Sequence, residues 1–541
     1  MNRTIIRWFG LLFCLAVAVV LCEGSSAIVW AEPLDPIEWM AAGGTTAASS
    51  ESAQPSLSSP DSADPAPNCR YGATPLSSAQ TDWLAPLGAG WYLDFSAHAP
   101  KPLPGVEFGQ LLWVRQNKND CTYLDGYSVT PSLTDSGLGA LIASQPGALW
   151  IVGNEPDRGP DPGKCTPRVQ GDTHPEIYAQ AYHDTYQFIK SRDATARVAI
   201  AGLVEVTPGR LQYLDKVWQA YQQRYQAAMP VDVWNMHLYI LPEARPDGAP
   251  NGVANVALGT DPALAIRESG GDKNQCANSN VYCWAEHDDL TVFAQQVVAM
   301  RTWMQQHNQQ AKPLILSEYS LLYPATMQDE YQNYFTQARL TSFLNGTVNY
   351  LESATDAGLG YPLDGNRLVQ QWMWFSVNTS GAGYVSNLVT DDLTKLTDTG
   401  KAFQSAVAGR ATSINLVPRQ VAAAVGLMPS PAQPIKATLF VDVINNGNKQ
   451  SATPFTVTAY ADQALTNPIG SAVVTMGLSG CIQRTAHVSV TWPNLTLGTH
   501  DFWFKVDSTS AVGESNEGDN VIKGKLTVYP HGVLLPLVVR P

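Results

Sequence analysis

Short apolar runs rich in β-branched and aromatic residues recur at Arg70–Thr74, Gly90–Ser96, Phe108–Arg115, Leu149–Glu155, Arg197–Val204, Asp232–Ile240, Pro313–Tyr319 and Gln370–Val377. Between the later runs the period changes. PEIYAQAYHDTYQFIKS and LTVFAQQVVAMRTWMQQHNQQ place apolar residues every three or four positions, the spacing of a helix with one buried face. Eight strands alternating with helices over about 340 residues is the arithmetic of a (β/α)8 TIM barrel. One connection departs from it: AHAPKPLPG, between the second and third strands, is too short and too rich in proline for a helix.

After about Ile435 the period becomes two. TLFVDVINN, FTVTAYAD, HVSVTW, HDFWFKVD and KGKLTVY predict about seven short strands in about 100 residues, an all-β immunoglobulin-like sandwich. The expected class is therefore α/β, a TIM barrel at 69–410, a linker at 411–434, a sandwich at 435–530 and a tail at 531–541. Upstream, ESAQPSLSSPDSADPAP typifies a Ser/Ala/Pro-rich spacer at 32–68 that has too little apolar surface to order itself. Residues 1–31 read as a signal peptide: Arg3 and Arg7, an apolar stretch from Phe9 to Cys22, then small residues before a cleavage site. A secreted or cell-surface location follows.

Composition narrows the partners. The chain is 45% apolar but only 15% charged, with a net charge of −14. An acidic surface without a basic run repels phosphate backbones, so nucleic acid is not an expected partner. Fifteen Trp suit both a core and stacking on sugars. Six cysteines remain after the signal peptide. Cys276 and Cys283 are the easiest pair, two of Cys69, Cys121 and Cys165 are placed to pair, and Cys481 stands alone in the last domain. Their spacing is not that of zinc ligands, and no cofactor or metal is expected.

Two of the strands finish in a glutamate. LWIVGNEP closes the fourth with Glu155, and PLILSEYS closes the seventh with Glu318. In a parallel barrel all strand C-termini open on one face, so these carboxylates meet across its mouth. Such a pair can flank one bond, one carboxyl protonated and the other ionised, as glycoside cleavage requires. Glu205 also ends a strand and is the rival most easily confused with them. On the sixth strand Asn235, His237 and Tyr239 share a face, and an all-polar face suits only the mouth. On the last, Trp374 is either a platform for a pyranose ring or buried beneath the outer helices, with Trp372 on the same side. Asp94 and Arg115 are further cleft candidates.

The stretches RYGAT, WYLDF, LLWVRQ, WIVGNEPD, VDVWNMHLY and KPLILSEYS, in this order and spacing, resemble clan A glycoside hydrolases, most of all the family 128 barrels that include endo-β-1,3-glucanases. The resemblance spans residues of about 69 to 380 on the TIM-barrel pattern. It implies that Glu155 is the acid/base, Asn154 a partner for the sugar 2-hydroxyl, Glu318 the nucleophile, and a polysaccharide or oligosaccharide the substrate. Two departures are Gly153, where an aromatic is expected, and a long insertion after the sixth strand. The sandwich, ending in VDSTSAVGESNEGDN, resembles adhesion-related CARDB domains and implies association with a cell surface or wall. A sugar-binding barrel without catalysis is the competing reading. The segment Leu241–Asp288, with Cys276, Cys283 and Trp284, is expected to overhang the mouth. Asp507, Glu514, Asn516, Glu517 and Asp519 gather oxygens either for calcium or for a solvated turn.

Overall fold

The computed structural model describes residues 65–165, 170–379, 385–425, 434–475, 477–481 and 484–529. The signal peptide, nearly all of the spacer, residues 426–433 of the linker and the tail lie outside the described residues.

Nine strands come first: β1 (Asn68–Ala73), β2 (Ala89–Tyr92), β3 (Glu107–Asn119), β4 (Thr122–Thr130), β5 (Leu149–Val152), β6 (Arg197–Ile200), β7 (Trp234–Leu238), β8 (Leu314–Tyr319) and β9 (Gln371–Trp374). All but β4 run parallel, in the order β6-β5-β3-β2-β1-β9-β8-β7. A parallel bridge from Ala199 to Val233 joins the two ends and closes the ring. Each of the eight apolar runs read from the sequence lies on one barrel strand. The helices are α1 (Leu84–Leu87), α2 (Ala140–Ser144), α3 (Pro175–Arg192), α4 (Pro208–Tyr225), α5 (Leu290–Gln306), α6 (Gln337–Ser353) and α7 (Asp398–Ala408).

Local signals set the main helix starts. Pro175 opens α3 with its φ already helical, and Thr207 and Asp289 accept from backbone N–H groups in the first turns of α4 and α5. Strand alternation then sorts the core. Trp91, Leu111, Leu149, Ile151, Ala199, Val233, Ile315 and Met373 fill the barrel, while Leu112, Trp150, Val152 and Trp372 pack outward against the helices.

The sequence pattern missed β4. It folds back antiparallel on the long β3, pairing Trp113 with Thr130 and Asn119 with Thr122, so the two form an arm standing above the barrel rim. Most of β4 is exposed or half-buried, which leaves no apolar period to read.

Seven more strands form the sandwich: β10 (Leu416–Val425), β11 (Ile435–Asn445), β12 (Phe455–Tyr460), β13 (Pro468–Val474), β14 (Thr485–Leu495), β15 (Gly498–Lys505) and β16 (Val521–Val528). A sheet β10-β11-β14 faces a sheet β13-β12-β15-β16 over a core that includes Leu439, Val441, Val457, Phe502 and Phe504. β10 falls within the stretch read as linker, so that part of the segment belongs to the sandwich.

The sandwich docks on the end of the barrel where the strands begin. Cys69 in β1 is disulfide-bonded to Cys481, which corrects the reading of Cys481 as solitary. The partners are 412 residues apart, a pairing that no local spacing reveals. Cys121–Cys165 and Cys276–Cys283 complete the set. Nearby, Cys69 N–H donates to Asn448 O at 3.1 Å, Asn446 Nδ2 donates to Leu363 O at 3.0 Å, and Tyr361 packs with Ile444. Replacing Cys69 and Cys481 together by Ser should cost about 2–5 kcal/mol and lower the calorimetric Tm. An unchanged Tm in the oxidised protein would mean that the bridge adds nothing to the docking.

Candidate active site

The mouth is built where β5, β7 and β8 end. After Val152 the chain turns through Gly153 at φ +97° and reaches Glu155 at φ +42°, a conformation that an L-residue rarely adopts. A Cβ on Gly153 would sit 3.2 Å from Tyr178 Cε2 and 3.3 Å from Ala201 Cβ, so the aromatic expected here has no room. Glu155 N–H donates to Gly202 O at 3.0 Å, which anchors the turn to the neighbouring strand. Gly202 has a second constraint: a Cβ there would lie 2.2 Å from His237 Cδ2.

β7 points His237 inward, and Tyr239 follows just past its end. His237 Nδ1 is 3.0 Å from Glu155 Oε1 and 3.8 Å from Glu318 Oε2. The Tyr239 hydroxyl donates to Glu318 Oε1 at 2.8 Å. Glu155 and Glu318 are 6% and 4% exposed, so little water screens the cluster. Asn154 is buried beside Glu155. Asn235 is also buried but lies deeper in the barrel, level with Ile315 rather than with Glu318.

Trp374 is a correction. It shares the outward face of β9 with Trp372, is fully buried, packs edge-on against Tyr319 and donates to Ser386 O at 2.8 Å. No ring face remains for a sugar. Alternation turns Met373 inward instead, and the mouth's aromatic wall comes from Phe375, Phe95 and Trp113 on strand ends β9, β2 and β3. The reading of the last strand had the parity reversed.

Protonation follows from burial and from partners. Burial raises the Glu318 carboxyl to about 7, the Glu155 charge adds to this, and His237 and Tyr239 oppose it. Burial also works against a charge on Glu155, but the His237 hydrogen bond and the positive charges of His237, Arg158 and Arg210 outweigh it and hold that carboxyl below its ordinary value. Burial disfavours the imidazolium, yet Glu318 and Glu155 together raise His237. Glu318 therefore holds a proton more readily than Glu155, and His237 favours the ionised form of Glu155.

Behind Glu155 lies a buried ionic network. Arg210 bonds to Asp157, approaches Glu243 Oε1 at 3.0 Å, and donates to Ala254 O and Asn255 O at 2.8 and 2.7 Å. Arg158 donates to Val253 O and Gly252 O, both at 2.8 Å. Two buried guanidinium groups thus pin the start of the long insertion. Further along it, Glu330 accepts from Trp284 N–H at 2.9 Å and from Ala285 N–H at 3.1 Å, beside the Cys276–Cys283 bridge. Sequence reasoning missed Arg158 and Arg210, because their role depends on a fold partner some 40 to 95 positions away.

Glu155, His237 and Glu318 each offer one atom within 4.8 Å of the others, a spacing compatible with a metal ion. Their oxygens already serve the imidazole and the Tyr239 hydroxyl. In Cys276, Cys283 and Glu330, a second such group, both sulfurs are in a disulfide. The acidic turn of the sandwich is held by its own hydrogen bonds. Glu514 accepts from Leu416 N–H and from Asn520 Nδ2, Asp519 accepts from Asn415 Nδ2, and Asp507 accepts from Ala511 and Val512 N–H. Asp94 is engaged by Ser96 and His98.

Residues 426–524 match the CARDB family. The sandwich is a CARDB domain. Its fold is similar to the CARDB domain of a Pyrococcus furiosus protein solved with di-metal ions, at 18% identity over 22% of this chain and 96% of that one, TM-score 0.17. The chain is also similar to a family 128 curdlan-specific exo-β-1,3-glucanase from Blastomyces gilchristii solved with glucose, at 15% identity over 62% of this chain and 97% of that one, TM-score 0.37. A glucosidase from Croceicoccus marinus matches at 11% identity over 79% and 94% of the two chains, TM-score 0.39. No curated protein matches the chain in sequence. No helix among the described residues, in the barrel or the CARDB domain, is long and apolar enough to cross a membrane.

Glu205 lies behind the site, fully buried, with its Oε2 accepting from Leu241 N–H. Burial, with Glu243 adding, raises its carboxyl well above 4.5. The unfolded chain ionises near 4.5 while the folded protein stays protonated, so stability declines as pH rises above that value. Glu205→Gln keeps an acceptor but cannot ionise. Its Tm relative to the parent should therefore climb between pH 4.5 and 8, and a difference that does not depend on pH would show that Glu205 is not held protonated.

Proposed function

We propose that the protein is an exported, retaining glycoside hydrolase that cleaves β-glycosidic bonds in a polysaccharide, with β-1,3-glucan the first substrate to try on the sequence resemblance. The observation that carries this reading is the pair Glu155 and Glu318, buried in one mouth with oxygens within 4.8 Å. Retaining enzymes hold their carboxyl groups about 5–5.5 Å apart, whereas inverting ones leave about 6.5–9.5 Å for a water. The two groups differ in protonation, but in the sense opposite to the catalytic roles proposed for them: Glu318 is raised and Glu155 lowered, so a proton must pass from one to the other before the first step.

Glu318 is the nucleophile in this reading. Tyr239 donates to one of its oxygens, which stabilises the carboxylate and orients it. Glu155 is the acid/base, so the proton held by Glu318 in the empty site has to cross to Glu155 before attack. His237 lies against both carboxylates and favours ionised Glu155, the form that deprotonates water in the second step. Attack of Glu318 on the anomeric carbon releases the aglycone as Glu155 protonates it; water, deprotonated by Glu155, then frees the sugar. By the sequence resemblance, Asn154 meets a hydroxyl of the bound ring in this reading. The basic, apolar N-terminus and three disulfides support export to an oxidising compartment, with the CARDB domain as the contact to a cell surface.

Glu318→Ala should be nearly silent on every glycoside. Glu155→Ala should fall by about 10²–10⁴-fold on poor leaving groups and keep turnover on good ones, with azide giving a β-azide product. Wild-type rates in both variants would show that these glutamates are not the catalytic pair, and no turnover by the unaltered protein on any glycan would leave a sugar-binding barrel. An inverted azide product from Glu318→Ala would confirm Glu318 as the nucleophile, whereas the same product from Glu155→Ala would exchange the two roles. The pair holds its shared proton only up to about pH 7, so kcat/KM should fall as pH rises through that value. A flat profile from pH 6 to 9 would mean that this proton is not used.

A further inference from the structure

Among the described residues, one cation at the mouth, Arg115, makes no ion pair; Asp172 acts on it only at a distance. Lys118 is paired with Asp172 at 2.5 Å, Arg158 with Asp161 at 3.0 Å, and Arg210 with Asp157. The Arg115 side chain makes no hydrogen bond or ion pair with any described residue; its guanidinium stacks over the Trp113 ring, 5.0 Å from the centroid. The nearest acid, Asp172, is already taken by Lys118 and by the Tyr123 hydroxyl.

Strand alternation gives Arg115 its direction. Leu111 belongs to the packing inside the barrel, Trp113 packs against that cluster, and Arg115 follows on the same face of β3 above the rim. The opposite face, through Gln116 and Lys118, is spent on the turn that follows Glu155, where Gln116 accepts from His174 N–H and Lys118 donates to Cys165 O. Leu112 pairs with Val152, so Arg115 and Glu155 each stand three residues above the same rung of adjacent strands. The Trp113 indole is half-buried and fixed by its N–H on Phe95 O at 2.8 Å. A flat, immobilised ring thus carries on its face a guanidinium with open donors, one strand away from the acid/base.

We infer that Trp113 and Arg115 form a sugar subsite flanking the cleavage point, and that the unit it takes carries a carboxylate, as a hexuronate does. Neutral hydroxyls accept from a guanidinium but leave its charge unpaired, whereas a carboxylate matches the planar fork through two parallel bonds. The indole lies beneath the guanidinium and holds it in place. The inference rests on the hydrolase reading for the identity of the mouth and adds to it the class of substrate: a β-linked polymer with acidic units.

The test uses Glu318→Gln in the full chain, so that ligand is bound and not turned over. A β-1,3-gluco-oligosaccharide is titrated against the same oligosaccharide oxidised at C6 to the uronate. The oxidised form should bind about tenfold tighter or more, and that preference should vanish in Arg115→Gln and shrink at about 0.5 M salt. Arg115 is exposed, so the variant folds, and its unchanged Tm is the control. Equal affinity for the two ligands, or a preference that survives Arg115→Gln, overturns the inference. A second readout is independent of catalysis: sodium glucuronate should shift the Arg115 Nε–H resonance, and glucose should not. If the resonance stays in place while a neutral glucan is hydrolysed, the subsite fails and the hydrolase stands. If it moves while no glycan is cleaved, the hydrolase reading fails and the carboxylate site stands.

Discussion

His237 Nδ1 lies 3.0 Å from one buried carboxylate and 3.8 Å from another, and the rest of the mouth is arranged around that contact. Two glutamates with oxygens this close cannot both be ionised in a site that excludes water, unless a cation lies between them. The imidazole places its positive charge beside Glu155, so that carboxyl ionises first while Glu318 keeps its proton, and the cost appears in the backbone around it. Gly202 has no side chain because the ring occupies the space, and Glu155 adopts a left-handed φ to bring its carboxylate down to the ring. Arg158 and Arg210 reinforce the asymmetry from behind by holding Glu155 ionised. The two glutamates are chemically identical, and only their neighbours distinguish them.

Much of this was legible in the sequence. Strand period and strand ends placed Glu155, Glu318, His237 and Tyr239 on one face, because alternation and the parallel barrel leave few other arrangements. Trp374 failed for a related reason: inward and outward residues differ by one position, and WMWF offers aromatics to both sides. Buried Trp and sugar-stacking Trp look alike in composition. β4 was invisible because an exposed arm needs no apolar alternation. The ionic network behind Glu155 was unreadable because buried guanidinium groups look like surface ones until the fold supplies their carbonyls.

The long insertion shows how a loop without regular structure is held in place. Arg158 and Arg210 fix its first part through four backbone carbonyls, and the Glu330 carboxylate holds a later turn. Arg339 then ties Asp288 to Asp329, joining this insertion to the loop after β8. Such bonds satisfy backbone groups that a buried loop would otherwise leave bare. The walls around the mouth are therefore braced against each other rather than hanging free.

The Cys69–Cys481 bridge closes a covalent ring that starts in the first barrel strand and ends in the CARDB domain. A ring has a different response to cutting than a line. A protease that opens any one loop between the two cysteines leaves a single molecule of unchanged mass on a non-reducing gel, and the cut shows only after reductant is added. Such a protein can lose a loop bond and still hold both domains together.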